Sequence, residues 1–131
     1  MTFEAENTAI ESRFSANFTA TPIKWDNVAF AQPTDSPWVE INIIDGNAFP
    51  ASLNGGSVLY RHTGIISVNI YVPVGTASKV ARQYADQIAA IYRGQQFSSI
   101  NCYEASIHRL GERDGWFVFN VTVPFYRDEA F

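Results

Sequence analysis

The chain has 131 residues, of which 47% are hydrophobic and 15% aromatic, and a formal net charge of −4. That length suits one domain, and the apolar share is enough for a core without disulfides or a metal, where a disordered chain would be poorer in Phe, Ile and Val. The 9 Lys and Arg residues are scattered, which excludes the basic stripe that a grip on phosphate backbones needs.

The opening Met1-Thr2-Phe3-Glu4-Ala5-Glu6 is acidic, lacks an apolar run and does not read as a signal peptide. Residues 3–19 read as a helix. Phe3, Ile10, Phe14 and Phe18 follow at intervals of seven, four and four, which stacks them on one face. Glu4 and Glu6 fall in the first turn, where the helix dipole favours anions, and Pro22 ends the helix. Residues 20–37 contain Pro22, Pro33 and Pro37 and read as irregular, turned at Asp26-Asn27 and anchored by Trp25 and Phe30.

Residues 38–44 alternate as a strand, with Val39, Ile41 and Ile43 on one face. Residues 45–57 are expected to form a long loop of small, permissive residues, with Asn54-Gly55-Gly56 marking a tight turn or a mobile tip. Residues 57–62 and 65–73 read as a β-hairpin turned at Gly64. A second helix is expected over 77–93, capped by Thr76 and ended by Gly94. Its stripe is Ala77, Val80, Ala81, Tyr84, Ala85, Ile88, Ile91 and Tyr92. Residues 100–110 and 116–125 read as a last hairpin, turned at Asp114-Gly115. No apolar run approaches the roughly 18 residues of a membrane span.

One internal echo stands out. Residues 64–73 match residues 115–124 at Gly64/Gly115, Asn69/Asn120, Val72/Val123 and Pro73/Pro124. Either this is a repeat, or two strands obeying the same rules have converged; a repeat should cover more of the chain. The order of elements argues an α+β fold over residues 1–131 as a single domain. Its sheet is antiparallel-dominated, with two helices packed on one face.

The residues offer no catalytic, cofactor-binding or metal site. Cys102, the lone cysteine, can form no internal disulfide. It shares a predicted strand with His108, but at six residues' remove the two lie about 20 Å apart, too far to hydrogen-bond. Cys102 therefore reads as a small core residue, although folding could bring His62 near it. There is no Cys-x-x-Cys, no His-Glu-x-x-His, no calcium loop and no phosphate-binding glycine loop. Glu40, Asp45, Glu104, Glu112 and Asp114 supply carboxylates without a diagnostic spacing, and Asp128-Glu129 reads as a solvated tail. The segments Trp25–Trp38 and Pro124–Phe131 mix aromatics with Pro, Asn, Asp and Arg. They either cross to a neighbouring subunit or wrap their own domain.

Several strings together resemble a known family. Thr21-Pro22-Ile23-Lys24-Trp25-Asp26-Asn27-Val28-Ala29-Phe30 is followed by Pro37-Trp38-Val39, Tyr60-Arg61-His62-Thr63-Gly64 and Tyr71-Val72-Pro73-Val74-Gly75-Thr76. Then come Ile91-Tyr92-Arg93-Gly94, Gly111-Glu112-Arg113-Asp114-Gly115-Trp116 and Val123-Pro124-Phe125-Tyr126-Arg127-Asp128-Glu129. In order and spacing these resemble the tail terminator-like proteins of long-tailed phages and prophages.

The resemblance implies a structural protein of the virion tail, assembled in the bacterial host cytoplasm, with no enzymatic activity and no cofactor. It implies a homo-oligomeric ring, a hexamer, on the head-proximal end of the tail tube. There the ring stops tube growth and meets a head–tail connector, while DNA passes through the lumen without sequence-specific contact. It assigns no residue to the tube side. The residues themselves suggest an interface at Trp25, Phe30 and Trp38, at the Asn54-Gly55-Gly56 tip and at Tyr126-Arg127. Competing readings are a neck or head–tail joining protein, a minor tail protein, a small-ligand binding module using the sheet face opposite the helices, and a hydrolase built on Cys102.

Overall fold

The computed structural model describes residues 2–54, 57–76 and 78–130. In chain order the elements are α1 (Phe3–Asn17), β1 (Ile23–Lys24), β2 (Trp38–Asn54), β3 (Ser57–Pro73), α2 (Ser78–Tyr92), β4 (Gln96–Phe97), β5 (Ile100–Cys102), β6 (Ser106–Arg113) and β7 (Trp116–Ala130). All strands join one sheet in the order β1-β2-β3-β7-β5-β4, with β6 pairing on β7. Only β1 runs parallel to its neighbour. β7 pairs along its length with β3; its other edge is shared between β6 and β5.

Both helices pack on one face of this sheet. Thr2 caps α1, its Oγ1 accepting from the Ala5 N–H at 3.1 Å. Ile10, Phe14 and Phe18 then meet Ala81, Ala85, Ile88, Ile91 and Tyr92 of α2 in one buried cluster. The sheet contributes Val39, Ile41, Ile66, Val68, Ile70, Val72, Phe119, Val121, Val123 and Phe125 to the same cluster. Each fully buried side chain of this size contributes about 1.5–3 kcal/mol. Two polar contacts stitch the helices together: the Tyr92 hydroxyl donates to the Ile10 carbonyl at 2.7 Å, and Arg13 Nε donates to the Ile91 carbonyl at 2.7 Å.

Four expectations change. Residues 45–54 are the far half of β2, paired with β3 as far as Asn54 and Ser57, so the expected loop is a strand. Its small residues are accommodated by register shifts between Asp45 and Ala48 and between Pro50 and Ser52. Gly64 is no turn but lies inside β3, where a Cβ would stand 2.5 Å from Phe125 Cζ; glycine admits the Phe125 ring. The expected strand over 100–110 is broken into β5 and β6, which puts Cys102 and His108 on different strands. Residues 124–130 are neither arm nor solvated tail but the second half of β7, and Asp128 takes a bidentate pair from Arg61 at 2.8 and 3.0 Å.

The Asp114-Gly115 hairpin stands as expected, with φ of 52° and 83° suited to a tight primed turn. The echo has a spatial meaning too. Its two segments are antiparallel neighbours, and Asn69 and Asn120 lie directly opposite each other.

Candidate functional site

The sheet face opposite the helices carries no helix or strand among the described residues; at one end Phe30 packs on it, and Trp38, Trp116 and Val118 are buried there. Along β2 it presents Trp38, Glu40, Asn42 and Ile44; along β3, Ile65, Ser67, Asn69 and Tyr71; along β7, Trp116, Val118, Asn120 and Thr122. Four strands contribute one transverse row at its centre, Glu40, Asn69, Asn120 and His108, each the register partner of the next. Hydrogen bonds run along the row. Asn120 Nδ2 donates to Asn69 Oδ1 at 2.8 Å and to Ser67 Oγ at 2.9 Å, and Asn69 Nδ2 donates to Glu40 Oε1 at 3.4 Å. Lys24 on β1 closes the row with an ion pair to Glu40 at 3.1 Å. The row is polar and nearly uncharged, because its one carboxylate has its own cation.

An aromatic cluster flanks the row on one side. Trp38 stacks on Tyr71 at 4.0 Å and meets Trp116 edge-on at 5.9 Å, and Phe30 leans on Trp38 at 5.3 Å. Burial, and then the Glu40 carboxylate, push the Tyr71 phenol above its ordinary value. The Trp38 indole N–H is buried and has no hydrogen-bond partner among the described residues. On the other side of the row lies a shallow apolar hollow of about 320 Å³, lined by Ile44, Ile65, Tyr103 and Pro124.

Beyond Asp45 the β2–β3 hairpin continues as an arm. Residues 44–51 are exposed on both faces, including Phe49. At its base sits a charged cluster. Arg127 is fully buried and donates from Nε to Glu6 Oε1 on α1 at 2.7 Å. Its guanidinium lies 4.9 Å from the Phe3 ring, and Glu129 Oε2 is 3.5 Å from Nη1 and 3.3 Å from His62 Nε2. The Glu6 carboxyl is pushed up to about 7, chiefly by burial and then by a hydrogen bond with the Asp45 carboxyl, while Arg127 pulls it down. Glu6 thus lies between the Arg127 guanidinium and the Asp45 carboxyl, and holding a proton relieves the repulsion between the two carboxyls.

Of the interface residues expected from sequence, Trp25, Phe30 and Trp38 lie at the β1–β2 side of the sheet. Trp25 packs edge-on against Phe14 at 6.1 Å. Asn54 ends β2, and Gly55 and Gly56 fall outside the described residues. Tyr126 lies under the Arg61 guanidinium at 4.2 Å, and Arg127 is enclosed by its own chain. Where the structure describes them, these residues therefore do not share one surface. Sequence reasoning missed the buried pairing of Glu6 with Arg127 and the row that Asn69 and Asn120 form. Glu6 falls four residues before Ile10, on the apolar stripe of α1, and a carboxylate there is the signal for a buried partner.

Cys102 is buried, its thiol pushed up to about 11 by desolvation. Among the described residues no group of three or more His, Cys, Asp or Glu side chains is arranged to hold a metal ion, and no helix is long and apolar enough to cross a membrane.

Comparison with known proteins gives one family and one fold. The family model described as phage tail terminator protein matches residues 7–125. A solved structure superposes with a TM-score of 0.70 at 21% identity, covering 98% of this chain and 96% of the other, a likeness of fold. No curated protein matches the chain.

Proposed function

The chain belongs to the phage tail terminator family, a structural component of tail assembly, and from that premise we propose that it forms a ring on the head-proximal end of the tail tube, ends tube polymerisation there and offers its outer side to the head–tail connector. The observation that carries this reading is the uncovered sheet face, with its row from Glu40 through Asn69 and Asn120 to His108. It is a broad surface laced by hydrogen bonds from Glu40 through Asn69 to Asn120, with aromatics beside it, and its one hydroxyl–imidazole contact among the described residues, Thr122 Oγ1 with His108 Nε2 at 3.3 Å, lies exposed to solvent.

Two further features agree. The net charge of −4 and the scattered cations suit a conduit that lets DNA pass without holding it. The β2 half of the arm, exposed over residues 45–51 with Phe49 among them, has the reach and the apolar surface to engage a tube subunit. In this reading the partners are further copies of the chain, six in a closed ring, then the tube protein and a connector protein, with neither cofactor nor membrane. The site of action is the virion tail, after assembly in the host cytoplasm.

The test is electron microscopy of particles made with this reading frame silenced. Overlong tubes without heads are expected. Tails of normal length would sink the terminator mechanism and move the chain to a neck or minor tail role.

A further inference from the structure

A strand edge exposes a row of unpaired N–H and C=O groups, which a protein must cover, distort or use. This sheet has two long open edges. On one side, β6 pairs only with β7, and every residue of it except Gly111 is exposed. It contains no proline and shows Ile107 and Leu110 to solvent at 40% and 37%. On the other side, β1 covers β2 only at Val39 and Glu40, leaving Ile41–Asp45 as a regular, unpartnered stretch. Past Asp45 the register shifts and Pro50 spoil the edge for pairing, which confines the usable ladder to that stretch.

The two edges fit each other. Three antiparallel steps, β2 to β3, β3 to β7 and β7 to β6, leave β2 and β6 running in opposite directions. A second copy placed alongside therefore brings its β2 antiparallel to the first copy's β6, repeating the sheet's own pairing and keeping like faces together. Charge agrees with geometry. Residues 106–113 carry Arg109 and Arg113 against Glu112, whereas the Ile41–Asp45 stretch carries Asp45, and the segment that leads into β2 adds Asp26 and Asp35 with no cation of its own. A basic edge and an acidic edge on opposite sides of one sheet make a head-to-tail contact between unlike patches, the kind that closes a ring.

We infer that copies of this chain join edge to edge, the free edge of β6 in one copy adding antiparallel to the Ile41–Asp45 edge of β2 in the next. This rests on the ring reading and assigns its subunit interface. The uncovered sheet face then runs on unbroken from copy to copy, with His108 of one beside Asn42 or Ile44 of another.

Cysteine cross-linking tests it in the full chain, with the unsubstituted protein as control for buried Cys102. His108→Cys combined with Asn42→Cys, or with Ile44→Cys, should give a ladder of covalent oligomers under mild oxidation, while each single variant stays uncross-linked. Charge reversal supplies an independent measurement by sedimentation velocity. Arg109→Glu with Arg113→Glu should weaken self-association on the order of tenfold or more, as should Asp26→Lys with Asp35→Lys. Mixing the two charge-reversed proteins should restore it, because each then meets an edge of opposite sign. If the parent protein assembles while the double-cysteine variants give no ladder and the reversed variants assemble normally, the edge assignment is overturned and the ring reading stands. Dimers from the single-cysteine variants would overturn it in favour of a like-to-like contact. A parent protein that stays monomeric, both alone and on purified tail tubes, would overturn the ring reading and this interface with it.

Discussion

Glu6 and Arg127 lie 121 residues apart in sequence and meet at 2.7 Å, both buried, where α1 crosses the root of the β2–β3 arm. Removing Glu6 takes the 2.7 Å acceptor from the buried guanidinium, with Glu129 still beside it at 3.5 Å. Glu6→Ala should therefore destabilise the domain by about 1.5–3 kcal/mol, the range for a hydrogen bond to a charged group. Glu6→Gln, which retains a hydrogen-bonding group for Arg127, should cost clearly less. Urea unfolding of the two variants measures the difference; equal losses would mean that the charge at Glu6 plays no part.

The same carboxyl makes stability depend on pH. Its value is raised from 4.5 to about 7 in the folded chain, so over that interval the folded state holds a proton that the unfolded state has released. Its stabilising contribution is complete at and below pH 4.5 and is lost as pH rises through about 7. The groups facing it are Asp45 from β2, His62 from β3, and Arg127 and Glu129 from β7. The urea midpoint should fall between pH 5 and pH 8, and Glu6→Gln should flatten the fall. The Asp128 carboxyl is held below its usual range by Arg61, so its contribution disappears only in more acidic solution. An unchanged midpoint across the interval in the parent chain would contradict the shared-proton account.

Gly64 is required for close packing, for a steric reason. An added Cβ would stand 2.5 Å and 2.7 Å from two atoms of the Phe125 ring and 3.1 Å from the Ile44 carbonyl oxygen. Phe125 is itself buried, so it has little room to yield. Gly64→Ala should cost about 1–3 kcal/mol by overpacking. A thermal melt gives the answer; a neutral outcome would show that Phe125 has space to move.

Cys102 should be chemically silent in the folded chain. Burial raises its thiol to about 11, so almost none is thiolate at neutral pH. A thiol-reactive dye should label it only after denaturation, and Cys102→Ser should leave self-assembly intact. Rapid labelling of the native protein would reopen a reactive role for this residue.

Much of the fold was legible along the chain. The apolar spacing of Ile10, Phe14 and Phe18 and of Ala81, Ala85 and Ile88 is a local periodicity, and both helices followed it. The Asp114-Gly115 turn likewise depends on two adjacent residues. What stayed hidden depends on partners far away. Residues 45–54 have the composition of a loop, and only the β3 strand opposite makes them a strand. Gly64 read as a turn because glycine serves turns and close packing alike, and the Phe125 ring that decides between them lies 61 positions on. Trp25, Phe30 and Trp38 lie apart from Tyr126 and Arg127, since aromatics build cores as readily as contacts. The row of Asn69 and Asn120 became visible only once the register was known.

The central position of β7 has a consequence for how the molecule is made. It follows every other strand in sequence, yet it joins β3 on one side to β5 and β6 on the other, and it carries the arginine that fastens α1. A ribosome must have released the chain through β7 before the middle of the sheet can exist. Until then the long β2–β3 hairpin has no strand on its inner edge, and most of the core has no floor. Completion of the sheet therefore waits for β7, and a chain stopped before it leaves the β6 edge without the scaffold that supports it. The strand order alone thus ties the whole sheet, and any edge it could offer a second copy, to the presence of β7.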